Sequence, residues 1–296
     1  MGILRILGAA VVDDYMFVDQ LPRVEESVAA SCYDRSVGGK AANQAAAAAL
    51  AGFSSELVSA LGDDAAGAYV RSQLERLGVD LSSCRSTTGA GTGRSFITVD
   101  RVGQQHIATW PGASNSLNQH DLDAIVERSI PSDIVSVQGE VDLAVTSITQ
   151  SDLRVAINPS PTARFGADEE WFDFAVVIVN EHEYAELSPA INAAPMVVVT
   201  RGSRGADLYE RQRRRFTAWS EPVEVVDTTG AGDAFAGVFL AHWAAYGVPA
   251  EALRWGVAAA TLSVQHQFCA PSYPSRHEIE HQLSRCTLKQ SEESET

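Results

Sequence analysis

Short apolar runs rich in Val, Ile and Leu recur along this chain, and helix-forming stretches stand between several of them. The runs cover residues 3–12, 57–61, 134–137, 155–157, 174–179 and 197–200. Most are apolar along their whole length instead of alternating with polar residues, which marks strands buried on both faces. The helical stretches are 40–50, which is alanine-rich, and 65–77, which Gly78 ends, followed late in the chain by 234–246 and 250–264. Such alternation specifies an α/β fold: a doubly wound, mostly parallel sheet flanked by helices, with ligands at the carboxyl ends of its strands. Two stretches break the rhythm. Residues 15–19 with 27–37, and 93–100 with 105–109 around the turn Val102-Gly103, read as β-ribbons with no place in the main sheet. They fit a small β-sheet lid hinged at Gly38, Gly39 and Gly112. The expected organisation is a single domain over 1–288, with lid strands at about 15–37 and 93–109 and a disordered acidic tail over 289–296. The connections 140–158 and 181–195 look short for crossover helices.

The most informative local pattern is Asp227-Thr228-Thr229-Gly230-Ala231-Gly232-Asp233. It follows a β-like run at 223–226 and leads into an apolar helix. A break of this kind leaves backbone N–H groups unpaired at a helix N-terminus, where the dipole also favours an anion. A carboxylate beside a bound phosphate does not help binding. Asp233 therefore reads as a general base that takes a proton from a hydroxyl attacking that phosphorus. The N–H groups around Thr229, Gly230, Ala231 and Gly232 read as the anion hole. The alternative is a glycine-rich turn with an N-capping Asp.

The formal net charge of -16 argues against nucleic acid or an anionic membrane as a partner. It also means that an anionic nucleotide must be attracted locally. No apolar run approaches the length of a membrane span. Cys32, Cys84, Cys269 and Cys286 show no metal or redox spacing and read as reduced thiols of a cytoplasmic protein.

Several motifs fall in one order along nearly the whole chain. They are Gly38-Gly39-Lys40-Ala41-Ala42-Asn43-Gln44-Ala45, Asn158-Pro159-Ser160-Pro161, Asn180-Glu181-His182-Glu183, Thr200-Arg201-Gly202-Ser203-Arg204-Gly205, the segment ending at Asp233, and Ala270-Pro271-Ser272. Together they resemble the PfkB family of carbohydrate kinases, in its ribokinase-like form. The resemblance implies an ATP-dependent kinase acting on a terminal hydroxyl of a pentose such as D-ribose. Asp13, Gly39, Lys40, Asn43, Glu140 and Asp233 would meet the acceptor. Asn180, Thr200, Gly202, Gly205, Thr229, Gly230 and Gly232 would meet ATP. Glu183 would organise Mg²⁺ through water. Asp227, Thr229, Ser263, His266, Phe268 and Ser272 map onto a K⁺ loop, although Phe268 stands where a glycine is usual. The resemblance also implies a homodimer through the lid.

Some of these residues admit a plainer role. Asn180 to Glu183 reads equally as a helix start whose acids complement the dipole, with His182 on the surface. Thr200 to Gly205 reads equally as a turn into 206–210, with Arg201 and Arg204 adding charge or simply solvated. His106 and Trp110 on the lid either touch substrate or cover the lid's apolar face. One departure from the ribokinase pattern concerns the acceptor. An Asn is usual two residues before the acceptor carboxylate, and here the residue is Val11. A ketohexose, modified sugar or nucleoside is the rival acceptor, and a non-catalytic sugar- or nucleotide-binding homologue is the rival class. A dehydrogenase is disfavoured because Gly8-Ala9-Ala10 lacks the dinucleotide fingerprint, and a Walker-type site because Gly39-Lys40 is followed by Ala41.

Overall fold

The computed structural model describes residues 1–140, 152–165 and 171–291. Strands β1 (Leu4–Leu7), β4 (Ser55–Gly62), β5 (Cys84–Thr87), β8 (Ile134–Gln138), β9 (Arg154–Asn158), β10 (Val176–Asn180) and β11 (Met196–Thr200) form the parallel part of the main sheet. At its far edge β12 (Ala206–Glu210), β13 (Arg213–Ser220) and β14 (Cys286–Gln290) add antiparallel. The order is β14-β13-β12-β11-β10-β9-β8-β1-β4-β5.

Side-chain alternation along each strand explains the continuous apolar runs. Ile134, Ala156, Val176, Ile178, Met196 and Val198 belong to the core on one face, and Val135, Val137, Val155, Ile157, Val177, Val179, Val197 and Val199 to the core on the other. Both faces are covered, so most positions are apolar. An exception is Arg5 in β1, a buried cation that Glu56 and Asp133 neutralise. Helices α1 (Lys40–Leu50) and α2 (Ala65–Arg76) cover the first face, with α5 (Ala231–Tyr246) and α6 (Pro249–Ser263). The remaining helices are α3 (Gln119–Arg128), α4 (Glu181–Leu187) and α7 (Arg276–Gln282). Helices α1 and α5 approach closely at Gly237, where a β-carbon would lie 2.2 Å from the Gln44 carbonyl oxygen. The alanines of α1 and the bare Gly237 permit that approach.

The stretches expected to form the lid build a separate four-stranded sheet, in the order β3 (Ala30–Gly38), β2 (Val11–Val18), β6 (Thr92–Val99), β7 (Gln105–Gly112). It rejoins the core at Gly39 and Gly112, both with positive φ (91° and 53°). At its tip Gln105 Nε2 donates to Thr229 Oγ1 at 3.4 Å, which brings the lid onto the loop before α5. Trp110 is half exposed and lies against Gly91.

Three expected boundaries are corrected. The run 3–12 is two strands, because the chain leaves the main sheet after Leu7 and enters the lid at Val11. The run 223–226 is not a strand. Pro222 removes a ladder donor just after β13 ends, and Val225 and Val226 are exposed. Lys289 and Gln290, placed in the tail, instead pair with Thr217 and Phe216 in β14. Ser291 N donates to the Arg215 carbonyl at 2.9 Å, while 292–296 of the expected tail lies outside the described residues, as does 141–151 of the first short connection. The second short connection holds α4 and a 3₁₀ turn, Ala190–Ala193. No helix of the described residues is long and apolar enough to cross a membrane. All four cysteines are free thiols.

Candidate active site

Asp233 lies in the first turn of α5, behind the N-cap Gly230, whose φ is 73°. A β-carbon at Gly230 would fall 2.5 Å from Tyr273 Oη and 2.8 Å from Cys269 Sγ, so both conformation and space require glycine. Tyr273 Oη donates to the Gly230 carbonyl at 3.1 Å and anchors the turn. Two of the four amides expected in the anion hole are already engaged. Thr229 N donates to Asp227 Oδ1 (2.9 Å) and Ala231 N to the Thr228 carbonyl (3.3 Å). Gly230 and Gly232 keep theirs free among the described residues, and nothing lies within 4 Å of the β-carbon position at Gly232.

The first turn of α1 faces Asp233. Asn43 Nδ2 donates to Asp233 Oδ2 at 3.0 Å, and Gln44 Nε2 to Oδ1 at 3.2 Å. Asn43 Oδ1 is buried and has no partner, an acceptor aimed into a site that a ligand's hydroxyl can satisfy. Asp233, with Glu140 and Glu183 adding to it, holds the Lys40 ammonium above its ordinary pKa against burial. Lys40 N donates to Glu140 Oε2 at 2.9 Å. Gly39 admits this turn because a side chain there would strike the Ala9 carbonyl at 2.4 Å.

Asp13 enters from β2. Burial pushes its carboxyl up to about 6, opposed by a hydrogen bond from Ser95 and reinforced by Asp233 and Asp14. Burial likewise raises Glu140 to about 7 against the pull of Lys40. The Asp13 carboxylate lies over Gly38, where a β-carbon would come within 2.2 Å of it. All six residues expected at the acceptor therefore belong to one neighbourhood, linked by these contacts and mutual charge effects.

Beside it opens a cavity of about 680 Å³, lined in part by Asn180, Thr200, Gly202, Gly205 and Gly232. Val223, Val225, Val257 and Val264 supply an apolar wall. Among the described residues, no Lys or Arg is in the lining. Thr228 lines the cavity, whereas Thr229, expected there, turns its hydroxyl to Asp227 Oδ1 (2.7 Å). Gly230 is likewise absent from the lining. Arg201 pairs with Asp207 (3.2 Å) and Arg204 with Glu181 (2.5 Å), so neither stands free to add charge. Asn180 and Glu183 form a reciprocal capping box (both 2.9 Å), which realises the helix-start reading. His182 is exposed and stands in the cavity lining.

Asp227 ties two loops together. Its Oδ1 accepts from Thr229, and its Oδ2 from Phe268 N at 3.2 Å. Ser272 Oγ donates to the carbonyls of Phe268 (2.6 Å) and Cys269 (2.7 Å), Ser263 Oγ to that of Ala260 (2.9 Å), and His266 N to that of Ser263 (3.3 Å). Phe268 has φ 69°, the left-handed region that glycine favours, and its ring meets Tyr15 edge-on at 5.0 Å. The backbone thus follows the path a glycine would give it, at a cost the aromatic contact helps to offset.

Gln44, Gln138, Ser95 and the valine wall are neighbours of the site that sequence reasoning misses. The available signal for Gln44 was its i, i+4 spacing from Lys40, which puts both on one helix face. The valine wall was hidden because 223–226 read as a strand.

A family model described as pfkB family carbohydrate kinase matches residues 4–276. The chain is 28% identical to a ribokinase of Haemophilus influenzae, over 93% of this chain and 96% of that one. It is 27% identical to a deoxyribokinase of Salmonella typhi, over 95% and 98%. A solved ribokinase of Arabidopsis thaliana, complexed with ribose and ATP, superposes with a TM-score of 0.80 at 26% identity, covering 95% of this chain and 98% of that one. The family match spans the elements that carry Asp13, Lys40, Glu140 and Asp233. The chain belongs to the pfkB family of carbohydrate kinases and is an ATP-dependent phosphotransferase.

Proposed function

We propose that this kinase transfers the γ-phosphoryl group of ATP to the terminal hydroxyl of a pentose such as D-ribose. The convergence of Asp233 on free helix-terminal amides and on the acceptor set Asp13, Gly39, Lys40, Asn43 and Glu140 carries this reading. Asp233 takes the hydroxyl proton as the oxygen attacks. The amides of Gly230 and Gly232 meet the charge on the transferred group. Asn43 Oδ1 accepts a hydroxyl hydrogen, and Asp13 and Glu140 orient further hydroxyls. ATP occupies the 680 Å³ cavity, with its base against the valines. Mg²⁺ suits this site because, among the described residues, the cavity lining offers no Lys or Arg to the phosphates; Asn180 and Glu183 would hold it largely through water. K⁺ suits the loop that Asp227 closes, with oxygens of Thr229, Ser263, His266, Phe268 and Ser272, and would add positive potential behind the anion hole. A cytoplasmic location goes with ATP as donor. A homodimer through the lid is supported by the outer edges of β3 and β7, unpaired among the described residues, and by exposed Phe96, Ile107 and Trp110.

A second reading rests on Val11. It shares a lid face with Asp13, and its partners across the sheet are Gly38 and Gly93, whereas those of Asp13 are Ser36 and Ser95. The Val11 row therefore offers one apolar side chain and no polar one. An acceptor one hydroxyl poorer, such as 2-deoxy-D-ribose, suits that row, and the similarity to a deoxyribokinase adds support. The test is ATP consumption with Mg²⁺ and K⁺ over D-ribose, 2-deoxy-D-ribose, ketohexoses and nucleosides. Val11→Asn is expected to shift the kcat/KM ratio toward ribose over deoxyribose by about tenfold, the scale of one buried hydrogen bond. An unchanged ratio rejects the second reading, and silence on every acceptor rejects the first as well.

The carboxyl shifts set a pH dependence. A carboxyl raised by folding favours the folded state below its ordinary range, and that contribution is lost as pH rises through about 6 for Asp13 and about 7 for Glu140. Acceptor hydroxyls donate to the ionised forms, so binding opposes the shift. Acceptor affinity, measured by calorimetry, is expected to fall at least about tenfold from pH 8 to pH 5.5. An affinity independent of pH would remove both carboxylates from the acceptor site.

A further inference from the structure

Behind Asp233 lies a chain of buried amides outside the lining of the 680 Å³ cavity. Gln44 Nε2 donates to Gln138 Oε1 at 2.8 Å, and Gln138 Nε2 donates back to Gln44 Oε1 at 3.0 Å. The second N–H of Gln138 goes to Ser136 Oγ (2.9 Å), and that of Gln44 to Asp233 Oδ1 (3.2 Å). Gln44, Gln138 and Ser136 are each at most 1% exposed. Every N–H of both amides is therefore used, and water does not compete.

The direction of this chain matters. If the Gln44 amide were reversed, its oxygen would face the Asp233 carboxylate, acceptor against acceptor. The reciprocal pair prevents this, because reversing Gln44 alone would also set nitrogen against nitrogen and oxygen against oxygen toward Gln138. The backbone holds Gln44 just as firmly. Gly237 lies one helical turn beyond Asp233, and its missing side chain lets the Gln44 carbonyl approach to where a β-carbon would be 2.2 Å away. The base thus has its Oδ1 set from β8 through α1, while Asn43 sets Oδ2.

We propose that Gln138, acting through Gln44, is a positioning residue for the catalytic base: the paired amides fix the rotamer of Asp233 so that it meets the acceptor hydroxyl in line. This rests on the assignment of Asp233 as the base. Gln138→Leu breaks the pair and frees the Gln44 amide to turn. The expected result, on the best acceptor found, is a kcat 10- to 100-fold lower with KM for acceptor and ATP within threefold, since no residue lining the ATP cavity or meeting the acceptor changes. Gln44→Leu is expected to lose at least as much. The double variant should be no worse than Gln44→Leu alone, because both act along one line.

A purely structural role would lower thermal stability yet leave kcat per folded molecule near wild type, with folded molecules counted by ATP-binding stoichiometry. That result, or multiplicative losses in the double variant, would overturn the proposal. Should Gln138→Leu fail to fold, Gln138→Glu keeps the volume and the acceptor oxygen but deprives Gln44 Oε1 of its donor. It is expected to lower kcat as well, and wild-type kcat would again overturn the proposal. Asp233→Asn, assayed in parallel, separates the two claims. If that variant turns over, the base assignment itself fails; if it is dead while Gln138→Leu is normal, only the positioning role does.

Discussion

Asp233→Asn is expected to lower kcat by about 10²–10⁴-fold, the range for removing a general base, with ATP affinity changed only a few-fold. The substitution keeps the size of the side chain and its place in the first turn of α5. It removes the proton acceptor and adds a conflict. Both carboxylate oxygens receive donors, Asn43 Nδ2 and Gln44 Nε2, so an asparagine amide must set its own NH₂ against one of them. An unmet buried donor costs about 1–3 kcal/mol, so some loss of melting temperature is expected too. Single-turnover kinetics well below the transition, with ATP binding by calorimetry, separates the two effects. The free amides of Gly230 and Gly232 and the apolar wall of Val223, Val225, Val257 and Val264 are untouched, which is why ATP should still bind. Turnover close to wild type would mean that the attacking hydroxyl loses its proton elsewhere.

Gly38→Ala should be nearly as damaging, through binding and not chemistry. The new methyl group would stand 2.1–2.2 Å from three atoms of the Asp13 carboxyl group. Neither neighbour can yield easily, because Gly38 pairs with Val11 and Asp13 with Ser36 in the same ladder. The carboxylate must rotate away, and its hydrogen bonds to acceptor hydroxyls are lost. At about 1.5–3 kcal/mol for each bond to a charged group, losing one or two raises acceptor KM by at least about tenfold, and by 100-fold or more if both go. ATP affinity, on the far side of Asp233, should not move. An acceptor KM within threefold of wild type would show that Asp13 does not contact the acceptor.

Much of the architecture is legible in the chain because burial on two faces favours apolar residues at most strand positions. The parallel strands β1, β4 and β8 to β11 follow the runs read from the sequence, whereas the short polar β5 does not, and α1 stands where its alanines predict close packing. The lid strands were legible for the opposite reason: their mixed polar and apolar residues cannot fill a fully buried strand. Periodicity misled at residues 223–226, where alternating valines form the wall of a cavity and not a strand. The same hydrophobicity serves either end, and only Pro222 hinted at the difference. The antiparallel strands β12 to β14 were missed as part of the main sheet, since partly exposed strands near its edge such as β13, with Arg213, Arg214 and Arg215, carry no continuous apolar signal.

At the site, residue types and short-range spacing already implied the chemistry. Gly230, Gly232 and Asp233 sit within one turn, and Lys40, Asn43 and Gln44 share one helix face, so helix geometry alone groups them. What only the tertiary structure decided was which groups meet across long separations and which are already spent. Asn43 meets Asp233 across 190 residues and Gln44 meets Gln138 across 94, while Arg201 and Arg204 are taken by Asp207 and Glu181. Hydrogen bonds and ion pairs have short range, and a sequence carries no record of distances between remote segments until the sheet order fixes them. The sequence could therefore propose a base, but the fold alone determined what holds Asp233.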